Sequence, residues 1–283
     1  MQMTPDPTPD GRASTLPAGT VAMSGTILAV LILISTTTPI AMNMYLPALP
    51  AIQDHFGTSA AVMQLSLSLF LAATAVGQLV AGPLSDIFGR RPVLTVGLSV
   101  FVGASILCAF APTAPVLIIA RILQGLGGCT GLVLSRAIVR DICGTATAAS
   151  MIGYVTMGMS VAPMVGPAIG GALASVFGWQ ATFWALFVLG CVTLWLTWSD
   201  LGETAPSRAG TTFRDELRDY PELLKSPRFW GYTVTLGLSS GSFFAYLGGA
   251  PFVVIQILTT AIVSFFFLRE RRMPTYHVPD VLL

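Results

Sequence analysis

The chain consists of long apolar runs separated by short polar segments. The runs cover roughly 24–46, 60–81, 93–110, 116–135, 148–176, 179–198, 229–248 and 252–268. A helix that crosses the hydrocarbon layer of a bilayer needs about 20 mostly apolar residues. Lipid offers no water to backbone N–H and C=O groups, so the runs are predicted to be helices and not strands. The pattern therefore predicts an all-α membrane protein.

Composition and the polar segments suggest how the chain is divided. It is 54% hydrophobic and only 10% charged, whereas a soluble domain carries about 25% charged residues. Residues 1–20, rich in Pro, Thr and Asp, are expected to form a disordered cytoplasmic tail. We predict that 21–198 is a six-helix transmembrane bundle and 199–228 a cytoplasmic linker. Two further transmembrane helices are predicted in 229–268, followed by a cytoplasmic tail in 269–283.

The basic residues predict the orientation in the membrane. Of the 14 Lys and Arg residues, only Arg121 lies within an apolar run, and the others lie in the tails and in alternate connections. The connections 49–59, 111–115, 177–178 and 248–251 hold no Lys or Arg. Lys and Arg in short loops stay on the cytoplasmic side. Both termini are therefore expected to be cytoplasmic.

Polar residues inside the runs are candidates for a transport pathway. A charge at the centre of a membrane helix costs roughly 2.5 to 3.5 kcal/mol on insertion scales, so Arg121 must face protein or water. Helical spacing puts Gln124, Gly125 and Gly128 on the same helix face. We predict an ion or substrate pathway at Asn43, Arg121 and Gln124. A purely structural arginine, bonded to backbone carbonyls, is the alternative.

A charged cluster separates the second run from the third, in GPLSDIFGRRP at residues 82–92. We expect a short loop that turns sharply at its glycines and prolines, with a polar cluster at the cytoplasmic mouth. A carboxylate is favoured beside a helix N-terminus, and a screened ion pair is worth only about 1 kcal/mol or less. A contact of this strength can form and break. The loop and its polar cluster are predicted at Gly82, Asp86, Gly89, Arg90 and Arg91.

The fifth run carries small residues at every fourth position and two prolines. Small residues allow another helix to approach closely, and each proline removes a backbone donor and bends a helix. The repeat comprises Gly158, Ala162, Gly166, Gly170 and Ala174. We predict a packing ridge with a hinge, formed by Pro163, Gly166, Pro167, Gly170 and Gly171.

Other chemistry is not indicated by the sequence. Cys108, Cys129, Cys143 and Cys191 are not closely spaced, and His55 and His277 fall in a loop and a tail, so no metal site is expected. No P-loop or HExxH motif occurs. We expect no cofactor, no nucleic-acid partner and no enzymatic activity.

Four of these segments together resemble the major facilitator superfamily. GPLSDIFGRRPVL is similar to its motif A, between the second and third helices, and LIIARILQGLGG resembles its motif B on the fourth. PMVGPAIGG is similar to the antiporter motif C on the fifth helix. NMYLPALPAI looks like the signature of the Bcr/CflA drug-resistance branch.

The resemblance implies both a fold and a function. The fold would be the N-terminal six-helix half of a major facilitator plus about two further helices. The function would be secondary active transport of the multidrug efflux type, exporting small amphipathic compounds across the cell inner membrane. Such a protein has the lipid bilayer, a small hydrophobic or amphipathic substrate and, in full-length relatives, protons as partners. The motif A residues would act as a latch that grips the other half when the transporter faces outward.

Two departures from the family pattern keep alternatives open. The superfamily has twelve helices, and here the pattern breaks at about Gln256, as an internal deletion, a frameshift or a mis-joined gene model would produce. The chain could then be a non-transporting remnant, or could work only by self-association or by pairing with another chain. Asn43 also stands where the branch commonly carries an aspartate, and an amide cannot titrate. Proton coupling would then be weak, or would depend on a carboxylate elsewhere.

Five aromatic and Met residues could line an apolar cavity for flat hydrophobic ligands, although ordinary helix packing explains them as well: Met42, Tyr45, Phe70, Tyr154 and Met157.

Overall fold

The computed structural model describes residues 24–143, 145–204 and 224–242. The chain divides into two units, Met1–Leu217 and Arg218–Leu283. The helices of the first unit are α1 (Gly25–Tyr45), α2 (Leu49–Phe56), α3 (Ala60–Phe88), α4 (Arg90–Ala109), α5 (Ala114–Ile142), α6 (Thr145–Met159), α7 (Ala162–Phe177) and α8 (Gln180–Asp200). A single 3₁₀ turn, Leu46–Ala48, joins α1 to α2.

These helices form six segments that are long and apolar enough to cross a membrane, among the described residues. They are Gly25–Phe56, Ala60–Phe88, Arg90–Ala109, Ala114–Ile142, Thr147–Phe177 and Gln180–Asp200. The fifth segment contains α7 and all of α6 except residues 145–146. Over its described residues, the first unit thus contains the six apolar helical segments that the first six runs predict.

The second unit is described only over 224–242. Residues 227–242 of this stretch are helical, and the Trp230 indole N–H donates to the Leu224 carbonyl oxygen at 2.8 Å. The helix overlaps the predicted seventh span. The predicted eighth span, the two predicted tails and most of the predicted linker lie outside the described residues.

Helix α5 packs against α1, α3 and α4. Its glycines permit this, because a Cβ added to Gly125 would lie 2.7 Å from the Phe70 carbonyl oxygen of α3. A Cβ on Gly127 would lie 2.5 Å from the Phe101 nitrogen of α4, and one on Gly131 would lie 2.6 Å from the Ile34 oxygen of α1. Three helix backbones therefore touch α5 directly, and the side chains between them are held at fixed positions.

The expected loop at 82–92 is wrong. Helix α3 continues through Gly82 and Pro83 to Phe88, and α4 begins at Arg90. Gly89 alone makes the turn, with φ +95°, a backbone conformation that residues with a Cβ rarely adopt. The proline at position 83 does not end the helix. Because α3 and α4 meet at one residue, the charged side chains on either side of the turn lie close together.

The fifth apolar run is not one continuous helix. It is interrupted between Met159 and Ala162, where the Ser160 N–H bonds both the Thr156 and Met157 carbonyls at 3.1 Å. Pro163 has no N–H to offer the Met159 carbonyl one turn earlier, so the first helix ends there. The run therefore consists of two successive helices, α6 and α7.

Candidate functional site

The guanidinium of Arg121 lies inside the bundle, with no exposed surface. Helix α5 projects it between two aromatic rings, with the guanidinium carbon 4.3 Å from the centroid of Tyr45 and 4.0 Å from that of Phe70. Tyr45 ends α1 and Phe70 lies in α3, so three helices enclose the charge. A cation over an aromatic face is attracted by the ring quadrupole. The rings therefore stabilise the charge in part, and among the described residues no carboxylate is paired with it.

Hydrogen bonds fix one side of the Arg121 guanidinium. Nη1 donates to the Gln124 side-chain oxygen at 2.5 Å and to the Ala41 carbonyl oxygen at 3.4 Å. Gln124 in turn donates from Nε2 to the Ser105 hydroxyl at 2.8 Å. The Nε and Nη2 atoms of Arg121 are buried and have no hydrogen-bond partner. The cluster is a positioned cation, and three of its five N–H donors are unused.

The Tyr45 ring is held in place from the other side. Its hydroxyl lies 2.6 Å from the Ser66 hydroxyl, which itself donates to the Met63 carbonyl at 2.6 Å. Since the Ser66 hydrogen is used in that bond, Tyr45 is the donor to Ser66. Tyr45, Ser66 and Phe70 are all fully buried. The aromatic walls of the Arg121 site are thus rigidly placed.

The structure separates Asn43 from Arg121 and Gln124. Ala41 and Tyr45 of α1 contact Arg121, and Asn43 is two positions from each, so it points about 200° away around the helix. Its amide donates to the Pro39 carbonyl at 2.8 Å, while its side-chain oxygen is buried without a partner. Asn43 instead packs on α7, where a Cβ on Gly166 would lie 2.7 Å from the Asn43 Cβ. The three predicted pathway residues therefore do not form one cluster.

The small-residue ridge of α6 and α7 packs on α1. A Cβ on Gly158 would collide with Ile32, and one on Gly170 would collide with the Met44 backbone oxygen. Gly166 and Gly170 are buried, whereas Gly171 has its closest neighbour, the Pro47 Cβ, at an ordinary 3.7 Å. Gly166 and Gly170 thus allow the close approach of α1 and α7.

Where α3 ends and α4 begins, the Arg90 side chain connects α3, α4 and α5. Its Nη2 lies 2.6 Å from an Asp86 carboxylate oxygen and its Nε lies 3.0 Å from Asp141 of α5. Its Nη1 also donates to the Ser85 hydroxyl. The ion-paired side chains are 12% to 28% exposed. Asp86 therefore lies in the last turn of α3 as the ion-pair partner of Arg90, and not at a helix N-terminus as expected.

The N-terminus of α4 is occupied by Glu203 instead. Its carboxylate accepts hydrogen bonds from the backbone N–H of Arg90 at 2.9 Å and of Arg91 at 3.3 Å. Arg91 meanwhile donates from Nη2 to the Trp198 carbonyl at the end of α8, at 2.6 Å. A carboxylate on the first free N–H groups of a helix is stabilised by hydrogen bonding and by the helix dipole. These contacts bind the segment after α8 to the α3–α4 turn.

Sequence reasoning did not find Ser105, Asp141 or Glu203 as members of these clusters. Glu203 and Asp141 lie 113 and 51 positions from Arg90, and no local pattern signals pairing over such distances. Ser105 is a hydroxyl in an apolar run, where bonding to a backbone carbonyl is the ordinary outcome. Its hydroxyl does donate to the Phe101 carbonyl. The same hydroxyl oxygen also accepts from Gln124, and this second bond depends on how α4 packs on α5.

A family profile described as Major Facilitator Superfamily matches residues 31–268. The chain belongs to this superfamily. Its members are transport proteins and not enzymes, and the six apolar helical segments make this chain a multi-pass membrane protein.

Several curated superfamily proteins are similar to the chain. The uncharacterized MFS-type transporter YdgK of Bacillus subtilis is 38% identical over 223 residues, which are 77% of this chain and 56% of the relative. An uncharacterized transporter of Rickettsia bellii is 31% identical, over 82% of this chain and 57% of the relative. Multidrug resistance protein MdtL of Escherichia coli is 30% identical over 78% of this chain and 56% of the relative. The chain thus spans little more than half the length of these relatives.

Solved superfamily structures share the fold. The human organic anion transporter MFSD10 (TETRAN) matches with a TM-score of 0.52 and 21% identity, over 64% of this chain and 48% of that chain. The proton:xylose symporter XylE matches with a TM-score of 0.55 and 16% identity, over 63% of this chain and 45% of that chain. These likenesses establish a partial major facilitator fold and carry no information on substrate.

Proposed function

We propose that the chain is part of a secondary active transporter of the multidrug efflux type. It would export small amphipathic compounds across the cell inner membrane. Membership of the superfamily and similarity to a protein named for multidrug resistance support this proposal. The observation that carries it is Arg121, a fully buried charge in an apolar bundle. An ionisable residue inside a membrane protein is costly to bury and typically serves a pathway for ions or substrate.

The orientation we propose places both termini in the cytoplasm. Contacts of Arg90 with Asp141, and of Glu203 with Arg90, bring the ends of α3, α5 and α8 together with the start of α4. Arg136 and Arg140 lie near that same end of α5. At the other end, where His55 after α1 contacts Trp179 before α8, the described connections carry no Lys or Arg. This asymmetry favours the Arg-rich end as cytoplasmic.

The cluster around Arg90 is proposed as the conformational latch. Its members lie at and around the single-residue turn, and its ion pairs are partly exposed. They are Gly82, Asp86, Gly89, Arg90 and Arg91. Partly exposed pairs are weak enough to exchange partners. Asp141 and Glu203 extend the cluster, so that movement of α5 or of the segment after α8 would reach the turn directly.

The break between α6 and α7 is proposed as a hinge in the transport cycle. Pro163 and Pro167 each leave a carbonyl one turn earlier without its helical donor. Gly166, Gly170 and Gly171 continue the surface that packs on or near α1. Because small residues and not interlocked side chains form the α7 face that packs on α1, a change in the angle between α6 and α7 would meet little steric resistance.

Proton coupling is proposed to be weak, or to depend on a carboxylate outside the described residues. The acids of the described helices lie in their terminal turns: Asp54, Asp86, Asp141 and Asp200. Asn43, buried on the α1–α7 contact, cannot take up a proton. In a chain completed with a second half, Asn43→Asp is expected to make efflux more dependent on an imposed pH gradient. An equal gradient dependence of both forms in reconstituted vesicles would contradict this view of Asn43.

Efflux is tested in cells of an efflux-deficient bacterium. The chain is expressed, the cells are loaded with the neutral amphipathic dye N-phenylnaphthylamine, and its fluorescence is followed after energisation. The proposal predicts faster loss of dye than in cells with an empty vector, and loss of that difference in Arg121→Gln. Equal dye loss with and without the chain, despite its presence in the membrane, would contradict autonomous export.

A second candidate function is that of a non-transporting remnant, or of a chain that acts only after pairing with another chain or a second copy. Light scattering of the purified chain, corrected for detergent, distinguishes the forms. A monomer without dye efflux supports the remnant, whereas a dimer with efflux supports self-association.

A further inference from the structure

We propose that the Nε–Nη2 edge of Arg121 binds the carboxylate group of a small amphipathic organic anion. The inference rests on the proposed transport function and names the substrate class that its pathway would recognise. Arginine carries five N–H donors in a planar fork. Nη1 is engaged by Gln124 and Ala41, while Nε and Nη2 are buried without a partner. The two unused atoms form one side of the guanidinium.

That side has the geometry of a bidentate anion site. The Nε–H and an Nη2–H point in parallel, and a carboxylate accepts such a pair through its two oxygens. The plane of the fork is fixed, because the rings of Tyr45 and Phe70 lie near the guanidinium carbon at 4.3 and 4.0 Å. A lysine in the same place would offer a point charge without this planar match.

The neighbouring groups cannot satisfy the unused edge. Gln124 uses its oxygen on Nη1 and its amide on Ser105. The Tyr45 hydroxyl donates to Ser66, and the Ser66 hydroxyl donates to Met63. These three side chains are therefore already committed, and the unused donors remain as the polar groups that a ligand would meet.

The charge of Arg121 also lacks a counter-ion among the described residues. The ion pairs found there join Arg90 to Asp86 and Asp141, at a helix end. A buried charge is costly unless it is paired and hydrogen-bonded. A carboxylate would neutralise the cation and accept hydrogen bonds from both Nε and Nη2. A neutral amide has one oxygen for these donors and would leave the charge unpaired.

Binding of benzoate and of its neutral isostere benzamide to the purified full chain tests the inference. Equilibrium dialysis in detergent with labelled benzoate gives the affinity, and unlabelled benzamide serves as competitor. Charge-assisted hydrogen bonds are stronger than neutral ones, so we expect benzoate to bind at least about tenfold more tightly than benzamide. Equal affinities, or no benzoate binding, would overturn the inference.

Variants locate the binding at Arg121. Arg121→Gln is expected to abolish the preference for benzoate, and Arg121→Lys to weaken it by about tenfold, because the charge remains but the fork is lost. Arg136→Gln removes an exposed charge from the same helix and should leave binding unchanged. If Arg121→Gln does not fold, Phe70→Leu provides the second test, since it removes one ring that orients the fork. Unchanged benzoate binding in Arg121→Lys and Phe70→Leu would place the anion elsewhere.

The outcome is separable from that of the efflux experiment. Carboxylate-selective binding at Arg121 without dye efflux would support the ligand class and contradict export of neutral amphipathic compounds by the chain alone. Dye efflux without any preference for benzoate over benzamide would support export and contradict the ligand class.

Discussion

The carboxylate of Glu203 accepts a hydrogen bond from the backbone N–H of Arg90 at 2.9 Å. It thereby occupies the first free donor of α4 from a position beyond α8. A Cβ on Gly89 would lie 2.6 Å from a Glu203 oxygen, so the turn needs glycine both for its positive φ and for the approach of this carboxylate. The α3–α4 turn and the start of the segment after α8 are consequently one structural unit.

Glu203→Ala is expected to lower the stability of the bundle by about 1 kcal/mol, because the N-terminal donors of α4 lose their acceptor. Thermal unfolding of the purified chain in detergent measures this as a lower melting temperature. Asp200→Asn is the control, since Asp200 is exposed at the end of α8 and should behave as the unsubstituted chain. Equal melting temperatures for all three proteins would show that Glu203 does not stabilise α4.

Asp86 and Asp141 are expected to substitute for each other as partners of Arg90. Asp86→Asn or Asp141→Asn alone should cost about 1 kcal/mol or less, because one ion pair of the partly exposed cluster remains. The double variant should lose more than the sum, since Arg90 is 12% exposed and would be left without a carboxylate partner. A double-mutant cycle on the free energy of unfolding provides the measurement. Strict additivity would mean that the two pairs are energetically independent.

Gly170→Ala and Gly171→Ala form a matched pair on α7. The first places a methyl group against the Met44 backbone oxygen and should destabilise the chain by about 1 to 3 kcal/mol. The second finds its closest neighbour at 3.7 Å and should leave stability unchanged or slightly higher, because Ala favours helix more than Gly does. Melting temperatures in one detergent decide between them. Equal effects of the two substitutions would contradict the close α1–α7 contact.

Single cysteines report the orientation. In a background without the four native cysteines, Thr113→Cys, between α4 and α5, should react with an impermeant maleimide added outside intact cells. Ser199→Cys, near the end of α8, should react only after the membrane is opened. Both positions are exposed, so burial does not confound the comparison. The reverse pattern of labelling would invert the proposed topology.

Hydrophobic periodicity and length predict the helices well, because lipid permits few alternatives to a helix. The ends of α3, α4 and α5 were predicted less well. Asp86, Arg90 and Asp141 are polar but still helical, since their charges pair with one another instead of with water. Local composition cannot reveal such long-range pairing, which is why the predicted loop at 82–92 is in fact a single-residue turn.

The candidate site was predictable in its chemistry but not in its arrangement. Arg121 and Gln124 are three positions apart on one helix, and their contact follows from helical spacing. Whether Asn43 joins them depends on which face of α1 meets α5. Glycines on α5 and α7 determine that rotation by letting Ile34 and Asn43 approach different helices, and no single segment contains this information.

Transport by the purified chain in liposomes tests the central proposal most directly. Vesicles are loaded with unlabelled benzoate, diluted into labelled benzoate, and the transient accumulation of label is measured for the unsubstituted chain and for Arg121→Lys. The account predicts counterflow with the unsubstituted chain and a rate at least about tenfold lower for a folded Arg121→Lys protein, because the bidentate edge is lost. No counterflow above protein-free vesicles, or equal counterflow by both proteins, would contradict a transport pathway through Arg121.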